Sequence, residues 1–270
     1  MDDSIQFAGQ AGLTSLHHYQ DFQPHLHTDR VADILQNHRI YCSNPADFND
    51  PWDCKPYFDP ALLDDPVNHS ATAESLIATH IPGPNDDVII RQLRTNPAFL
   101  KKAMHEFSER QAKFITTRWG VYCLSPDPCL TLMWSHYSRN HRGICLEFAV
   151  NSSKFVAAQK VHYQKQYPAL LLHEPESYLT MLLIKSDVWA YEQEFRLICP
   201  RFTDVEQHPL IMDGDYLSIG PRDLKSIIVG CQASHESVQT IRDLVKRYAQ
   251  NVAVRYARRA ANKYRLVIED

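Results

Sequence analysis

Apolar positions recur along this chain at two different spacings. Between residues 57 and 118 they fall three and four apart, which predicts helices over Ala71–His80, Asp87–Arg94 and Pro97–Thr117, with a shorter piece at Ala61–Leu63. Pro82-Gly-Pro84 interrupts this helical stretch. Elsewhere the apolar runs are short and rich in branched and aromatic residues. Thr14–Tyr19, Arg39–Ser43, Trp119–Ser125, Gly143–Val150, Ser226–Val229, Val252–Tyr256 and Tyr264–Ile268 read as strands, and Val161-His-Tyr is strand-like. Further helices are expected from Thr28 or Asp29, as cap, through Gln36, with Val31, Ile34 and Leu35 inward. Others are expected over Asn151–Lys160, Ser177–Ile184 and Glu236–Tyr248, with a short helix or turn at Leu130–Tyr137. Strands and helices do not alternate regularly, so the expected class is α+β. The expected organisation is one domain over 1–270, with a core of 14–56 and 119–270 and a helical insertion of about 57–118.

The run Trp189–Pro200 (WAYEQEFRLICP) stands out. Tyr191–Cys199 reads as a strand that Pro200 stops. Alternation would then put Glu192, Glu194, Arg196 and Ile198 on one face, with the two carboxylates about 7 Å apart. A solvated face with a Glu194–Arg196 pair is the plain structural expectation. Crowding by Trp189, Tyr191 and Phe195 points the other way, toward a site.

Composition narrows the classes. The chain has 270 residues, 44% hydrophobic and 22% charged, and a net charge of −4, which gives no global attraction to nucleic acid or membrane. No signal-peptide pattern or long apolar span is visible, so a cytoplasmic protein is expected. Seven cysteines without a C-x-x-C, most in apolar runs, read as reduced buried thiols. No dinucleotide fingerprint or P-loop occurs, and glycine is scarce at 8 residues. The turn-rich stretch 43–54 reads as a rigid loop capped by Asn49, Asp50 and Asp53.

Several motifs, in order, resemble a bacterial family known as domain of unknown function 2971. They are Tyr41–Asp53 (YCSNPADFNDPWD), Met133–Tyr137 (MWSHY), the strand around Gly143–Phe148 and Tyr191–Arg196 (YEQEFR). The resemblance runs from about residue 14 to the C-terminus, although His17-His-Tyr-Gln20 stands where that family often has Y-K-Y-R. A second resemblance is to toxin-like ADP-ribosyltransferases, a class that includes toxins and defence factors. Those carry His or Arg on an early strand, Ser at the end of a later one, and Glu, often as E-x-E, on a last one. His18, Ser125 and Glu192/Glu194 fall in that order. This resemblance implies a split β-sheet core and cleavage of NAD, as substrate, at the nicotinamide–ribose bond. ADP-ribose would pass to a protein, nucleic acid, small molecule or water.

Such cleavage leaves positive charge on the ribose, and a nearby carboxylate stabilises it. The resemblance implies that Glu194 does this, that Glu192 is the general base toward the acceptor, and that Ser125 orients Glu194. It implies adenosine-side contact for His18, with Tyr19, Tyr137 and Tyr191 as candidate walls for nicotinamide. His136 is a candidate ligand contact, and Arg139, His141 and Arg142 offer charge to a pyrophosphate. No metal is expected. Two rivals remain. His25-x-His27 with Asp29, Asp50 or Asp53 could hold zinc or manganese in a hydrolase. Alternatively, a non-catalytic module could meet nucleic acid or an acidic partner through Arg255, Arg258, Arg259, Lys263 and Arg265, with Tyr256 and Tyr264 for stacking.

Overall fold

The structure, a computed structural model, describes residues 5–55, 57–79, 86–151, 153–169, 181–202 and 208–270. In chain order, β1 (Ser15–Gln20) leads through α1 (Pro24–Asn37) to β2 (Arg39–Tyr41). Three helices follow: α2 (Pro66–Ala78), α3 (Asp86–Thr95) and α4 (Pro97–Arg118). Next come β3 (Trp119–Leu124), α5 (Thr131–Tyr137), β4 (Ile144–Ala149), β5 (Gln159–Lys160), β6 (His162–Gln164) and β7 (Ile184–Ser186). The chain continues with β8 (Phe195–Pro200), β9 (Tyr216–Ser218), β10 (Leu224–Val229), α6 (His235–Tyr248), β11 (Ala253–Arg259) and β12 (Leu266–Glu269). The class is α+β.

The chain divides into two compact units. The first takes Met1–Asn44, Trp119–Val161 and Val188–Asp270; the second takes Pro45–Arg118 and His162–Asp187.

In the first unit a five-stranded sheet runs β1-β4-β10-β11-β12. All neighbours are antiparallel except β10 and β11, which are parallel with α6 between them in the chain. Alternation along these strands feeds two apolar clusters. Leu16, Ile144, Leu146, Phe148, Ile227 and Val229 join Val31, Ile34 and Leu35 of α1 and Ile241 and Leu244 of α6. Tyr19, Cys145, Ile228 and Ala257 instead join Met133 and Trp134 of α5. A second sheet, β3-β8-β5, contributes Tyr122, Leu124, Phe195 and Leu197 to the first cluster. The pair β2-β9 stands separately. Backbone bridges tie these parts together at His17–Ser125 and Ser43–Val121.

In the second unit, Phe58, Leu63, Leu76, Leu93, Leu100, Met104, Phe107 and Met181 form one apolar cluster among α2, α3 and α4. Asp65 caps α2 by accepting from the Val67 and Asn68 N–H groups, which have no partner within the helix. β6 and β7 pair in parallel.

Some local expectations need correction. α1 begins at Pro24, one turn before Thr28, because proline needs no N–H partner at a first helical position. Thr28 is inside the helix and its hydroxyl donates to the Pro24 carbonyl at 2.5 Å. Asn151–Lys160 is not a helix. Ser153 caps a single 3₁₀ turn over Lys154–Ala157, and Gln159–Lys160 is then drawn into the ladder with β8. Of the helix expected over Ser177–Ile184, residues 177–180 lie outside the described residues. Met181–Leu183 form a 3₁₀ turn and Ile184 opens β7. Pro82, Gly83, Pro84 and His80 also lie outside the described residues. All seven cysteines are free, with Cys42, Cys54, Cys145 and Cys199 buried and the other three half-buried.

Where β4 begins, Gly143 lies against the end of β1. A side-chain carbon there would collide with the Gln20 carbonyl oxygen and crowd the Cα atoms of Asp21 and Ser138. Backbone cannot yield as a side-chain tip does. Gly143→Ala is therefore expected to lose about 1–3 kcal/mol, read as a lower urea midpoint. An unchanged midpoint would mean that β1 and β4 are spaced more widely there.

Candidate functional site

The E-Q-E run does not form one continuous strand. Asp187–Glu192 is a 3₁₀ turn, Gln193 takes a left-handed conformation at φ 50°, and β8 starts only at Phe195. The expected alternation of Tyr191–Cys199 is therefore broken at Gln193, and the two glutamates are not related by a simple strand repeat. Nor is the face solvated: Glu192, Glu194 and Arg196 are 2%, 3% and 0% exposed. Arg196 does pair with Glu194, as its spacing suggests. Nε donates to Oε1 at 2.8 Å and Nη2 to Oε2 at 2.9 Å, a two-pronged bond that engages both carboxylate oxygens. The Glu194 carbonyl accepts from the Val161 N–H at 2.9 Å.

Glu192 has a different partner. The Tyr137 hydroxyl donates to its Oε1 at 2.7 Å. Around this contact stand three more rings. His136 lies 6.2 Å from both Trp189 and Tyr191, and those two are 6.1 Å apart, centroid to centroid. His136 is exposed, and Tyr137, Trp189 and Tyr191 are half-buried. The wall has a firm base. Met133 and Trp134 bury themselves on the inner side of α5, and Trp134 Nε1 donates to the Pro128 carbonyl at 2.8 Å. His136 and Tyr137, at the end of that helix, are carried outward.

Backbone pairing brings the three separated elements together. The last ladder pair of β3 and β8 is Leu124–Phe195, so one further step sets Ser125 opposite Glu194. Ser125 in turn exchanges two backbone hydrogen bonds of 2.8 Å with His17. The three side chains are not joined by hydrogen bonds to one another, however. Ser125 is fully buried, and its hydroxyl has no hydrogen-bond partner among the described residues, so it does not orient Glu194. His18 stacks on Tyr122 at 4.2 Å and its Nδ1 meets the Cys123 carbonyl at 2.8 Å, which requires a proton on Nδ1. Tyr19 points to the opposite face, edge-on to Trp134, with its hydroxyl donating to the Asp127 carbonyl at 2.6 Å. It is 5% exposed and belongs to the core rather than to a ligand wall. Arg142 is exposed on the turn after α5, where Arg139, Asn140 and His141 are all left-handed.

Burial lowers the pKa of His18 to about 4; the Cys123 carbonyl opposes this and Arg30 adds to it. Burial likewise lowers that of His17, against the raising influence of Glu147. Both rings are neutral at pH 7.

Sequence reasoning missed Trp189 as part of the wall, although its place in an aromatic run was a signal. It also missed Lys185. In the second unit Lys185 and Asp53 are both buried, with Nζ 3.4 Å from Oδ2. They line a cavity of about 270 Å³ with Asp50, Trp52, Tyr167 and Met181. A lysine closing the apolar run 181–184 was the available clue. Asp50 caps the loop as expected, accepting from the Trp52 N–H at 2.9 Å. His25 and His27 are inside α1, ahead of the start expected at Thr28 or Asp29, and residues two apart on a helix do not face one another. Among the described residues no group of three or more His, Cys, Asp or Glu could hold a metal ion.

Residues 133–197 match the model of a family described as Protein of unknown function (DUF2971). The match takes in the aromatic wall of α5, β4 and both glutamates, so the resemblance read from the motifs holds over that stretch. Comparisons with curated proteins and with solved structures return no match. No described helix is long and apolar enough to cross a membrane.

Two outcomes follow from this geometry. Arg196→Met leaves Glu194 buried without its two-pronged partner and is expected to cost about 3–5 kcal/mol in urea denaturation. The double change Glu194→Leu with Arg196→Met should recover most of that loss. If both proteins are equally destabilised, charge pairing is not what the site requires. Second, His18 binds its proton more readily when the chain is unfolded, because its folded pKa is the lower one. Its contribution is fully present above the unfolded value near 6.5 and is lost as pH falls through that value toward about 4. The urea midpoint should drop over that range, and His18→Gln should drop less steeply.

Proposed function

We propose that this chain is an ADP-ribosyltransferase-like enzyme that cleaves NAD at the nicotinamide–ribose bond. The observation that carries the reading is Glu192: a buried carboxylate, oriented by Tyr137, at the foot of a wall of partly exposed rings. Support also comes from the order of elements, His18 on β1, Ser125 after β3 and Glu194 before β8, on neighbouring segments of two separate sheets. A split-sheet kinship with the transferases rests on that order.

One role differs from the sequence reading. Both oxygens of Glu194 are held by Arg196, so its charge is balanced and its work is to position the turn. Glu192 is then the carboxylate that steadies positive charge on the ribose as the C–N bond breaks. The nicotinamide leaves as a neutral ring, stacked on Tyr191, Trp189 or His136. Water or another nucleophile bonds to the ribose C1′ and gives up its proton to a base. Arg142, exposed on the turn after α5, offers charge to the pyrophosphate. His18, on the other face of β1, supports Tyr122 rather than the ligand.

A non-catalytic ligand-binding module is the second reading, favoured by the full engagement of Glu194. Nicotinamide release from NAD separates the two. Glu192→Gln is expected to lower the rate by about 100-fold, some 3 kcal/mol of barrier, with little change in NAD affinity. Tyr137→Phe should lower it by about tenfold, because the carboxylate stays charged but loses its orientation. NAD binding without any release would select the binding module. Failure to bind NAD, or full activity in a folded Glu192→Gln protein, would overturn the transferase reading.

A further inference from the structure

We propose that a groove beside the β11–β12 hairpin, in the first unit, binds single-stranded nucleic acid. The groove has a volume of about 760 Å³ and is lined by Thr131, His141, Gln232, Arg259, Lys263 and Arg265, with Tyr264 at its lip. Its three cations are all exposed, and no carboxylate is among its lining residues. No ion pair within 4.0 Å joins any of them to a carboxylate among the described residues.

The nearby acids are matched with other arginines. Asp270 accepts from Arg255 Nε at 2.9 Å, and Glu269 lies 3.9 Å from Arg258 Nε. A chain whose net charge is −4 thus keeps a local positive strip, and a local field is what attracts a backbone of phosphates. The strip is also held in shape. The Ala260 N–H donates to the Arg265 carbonyl at 3.0 Å, and the Arg265 N–H to the Lys263 carbonyl at 2.9 Å. These bonds close the hairpin end and display Tyr264 with its whole ring in water, at 110% relative exposure. Burying that ring against a partner is favourable, and a flat ring between two cations suits an unstacked base. A duplex hides the faces of its bases and cannot use Tyr264 in this way. An acidic protein could meet the cations but has no base to stack. Such binding needs no NAD and stands apart from the transferase chemistry.

The test uses the full chain and a fluorescein-labelled oligouridylate of about 12 nucleotides, followed by anisotropy over a range of salt. Binding is expected, with a slope of log affinity against log salt near −2 for about three phosphates neutralised. Lys263→Glu with Arg265→Glu should weaken it by about 30-fold or more and flatten the slope. Tyr264→Ala should weaken it by about tenfold and leave the slope in place. All three positions are exposed, so these variants should keep the parent's circular dichroism and urea midpoint. Absence of binding, variants that bind like the parent, or equal competition by a duplex would overturn the proposal. So would displacement by polyglutamate as effective as by unlabelled oligouridylate, since the surface would then serve acidic proteins.

Discussion

Two charges with no access to water, Glu194 and Arg196, fix the geometry on which the rest of the first unit's candidate site depends. Each ion costs several kcal/mol to remove from water, so neither is tolerable without the other. Their two-pronged bond requires Arg196 to lie in an extended strand and Glu194 to stand just before it. Phe195, between them, then faces the opposite way and enters the core with Leu197. Since Glu194 is anchored, the chain reaches it only through the left-handed Gln193. That bend presents Glu192 to Tyr137 instead of continuing the strand. A buried ion pair and a second buried carboxylate thus sit two residues apart, and the first holds the second in place.

β1 shows how two functions are divided between adjacent residues. His18 and Tyr19 follow one another in the chain and so point into different clusters. One steadies Tyr122 among the residues that α1 and α6 cover; the other braces Trp134 beneath the aromatic wall. His18, Ser125 and Glu194 stand in the order that the transferase resemblance implies. Backbone proximity is real, but pleating turns His18 to the face opposite that of His17, the residue whose backbone pairs with Ser125.

What could be read from the chain followed from pattern length. Strands β1, β3, β4 and β10 each have six residues, enough for branched and aromatic positions to declare themselves. Helices α3 and α4 were visible from their spacing. β7 and β9 have three residues each, too few to carry a period, and they exist only because a partner strand is at hand. The start of α1 was obscured by the polar His25 and His27, which lack an inward apolar position, while Pro24 was already the helical signal. The Glu194–Arg196 pairing was legible from its spacing, whereas its burial was not, because burial is set by segments distant in sequence. The break at Gln193 left no trace, since glutamine carries no preference for left-handed backbone.

The two-unit division has a consequence for how such a chain could be assembled or cut down. The first unit is interrupted at 45–118 and again at 162–187. Ser43 and Val121 exchange backbone hydrogen bonds of 2.9 Å, so the points where the chain departs and returns are joined by one backbone bridge. A few residues would span that gap. The 45–118 segment therefore has the attachment of an insert spliced between touching ends, which costs little loop-closure entropy to add or omit. Its removal alone would still be incomplete. β6 and β7 belong to the same second unit, and a minimal version of the chain has to close both interruptions together.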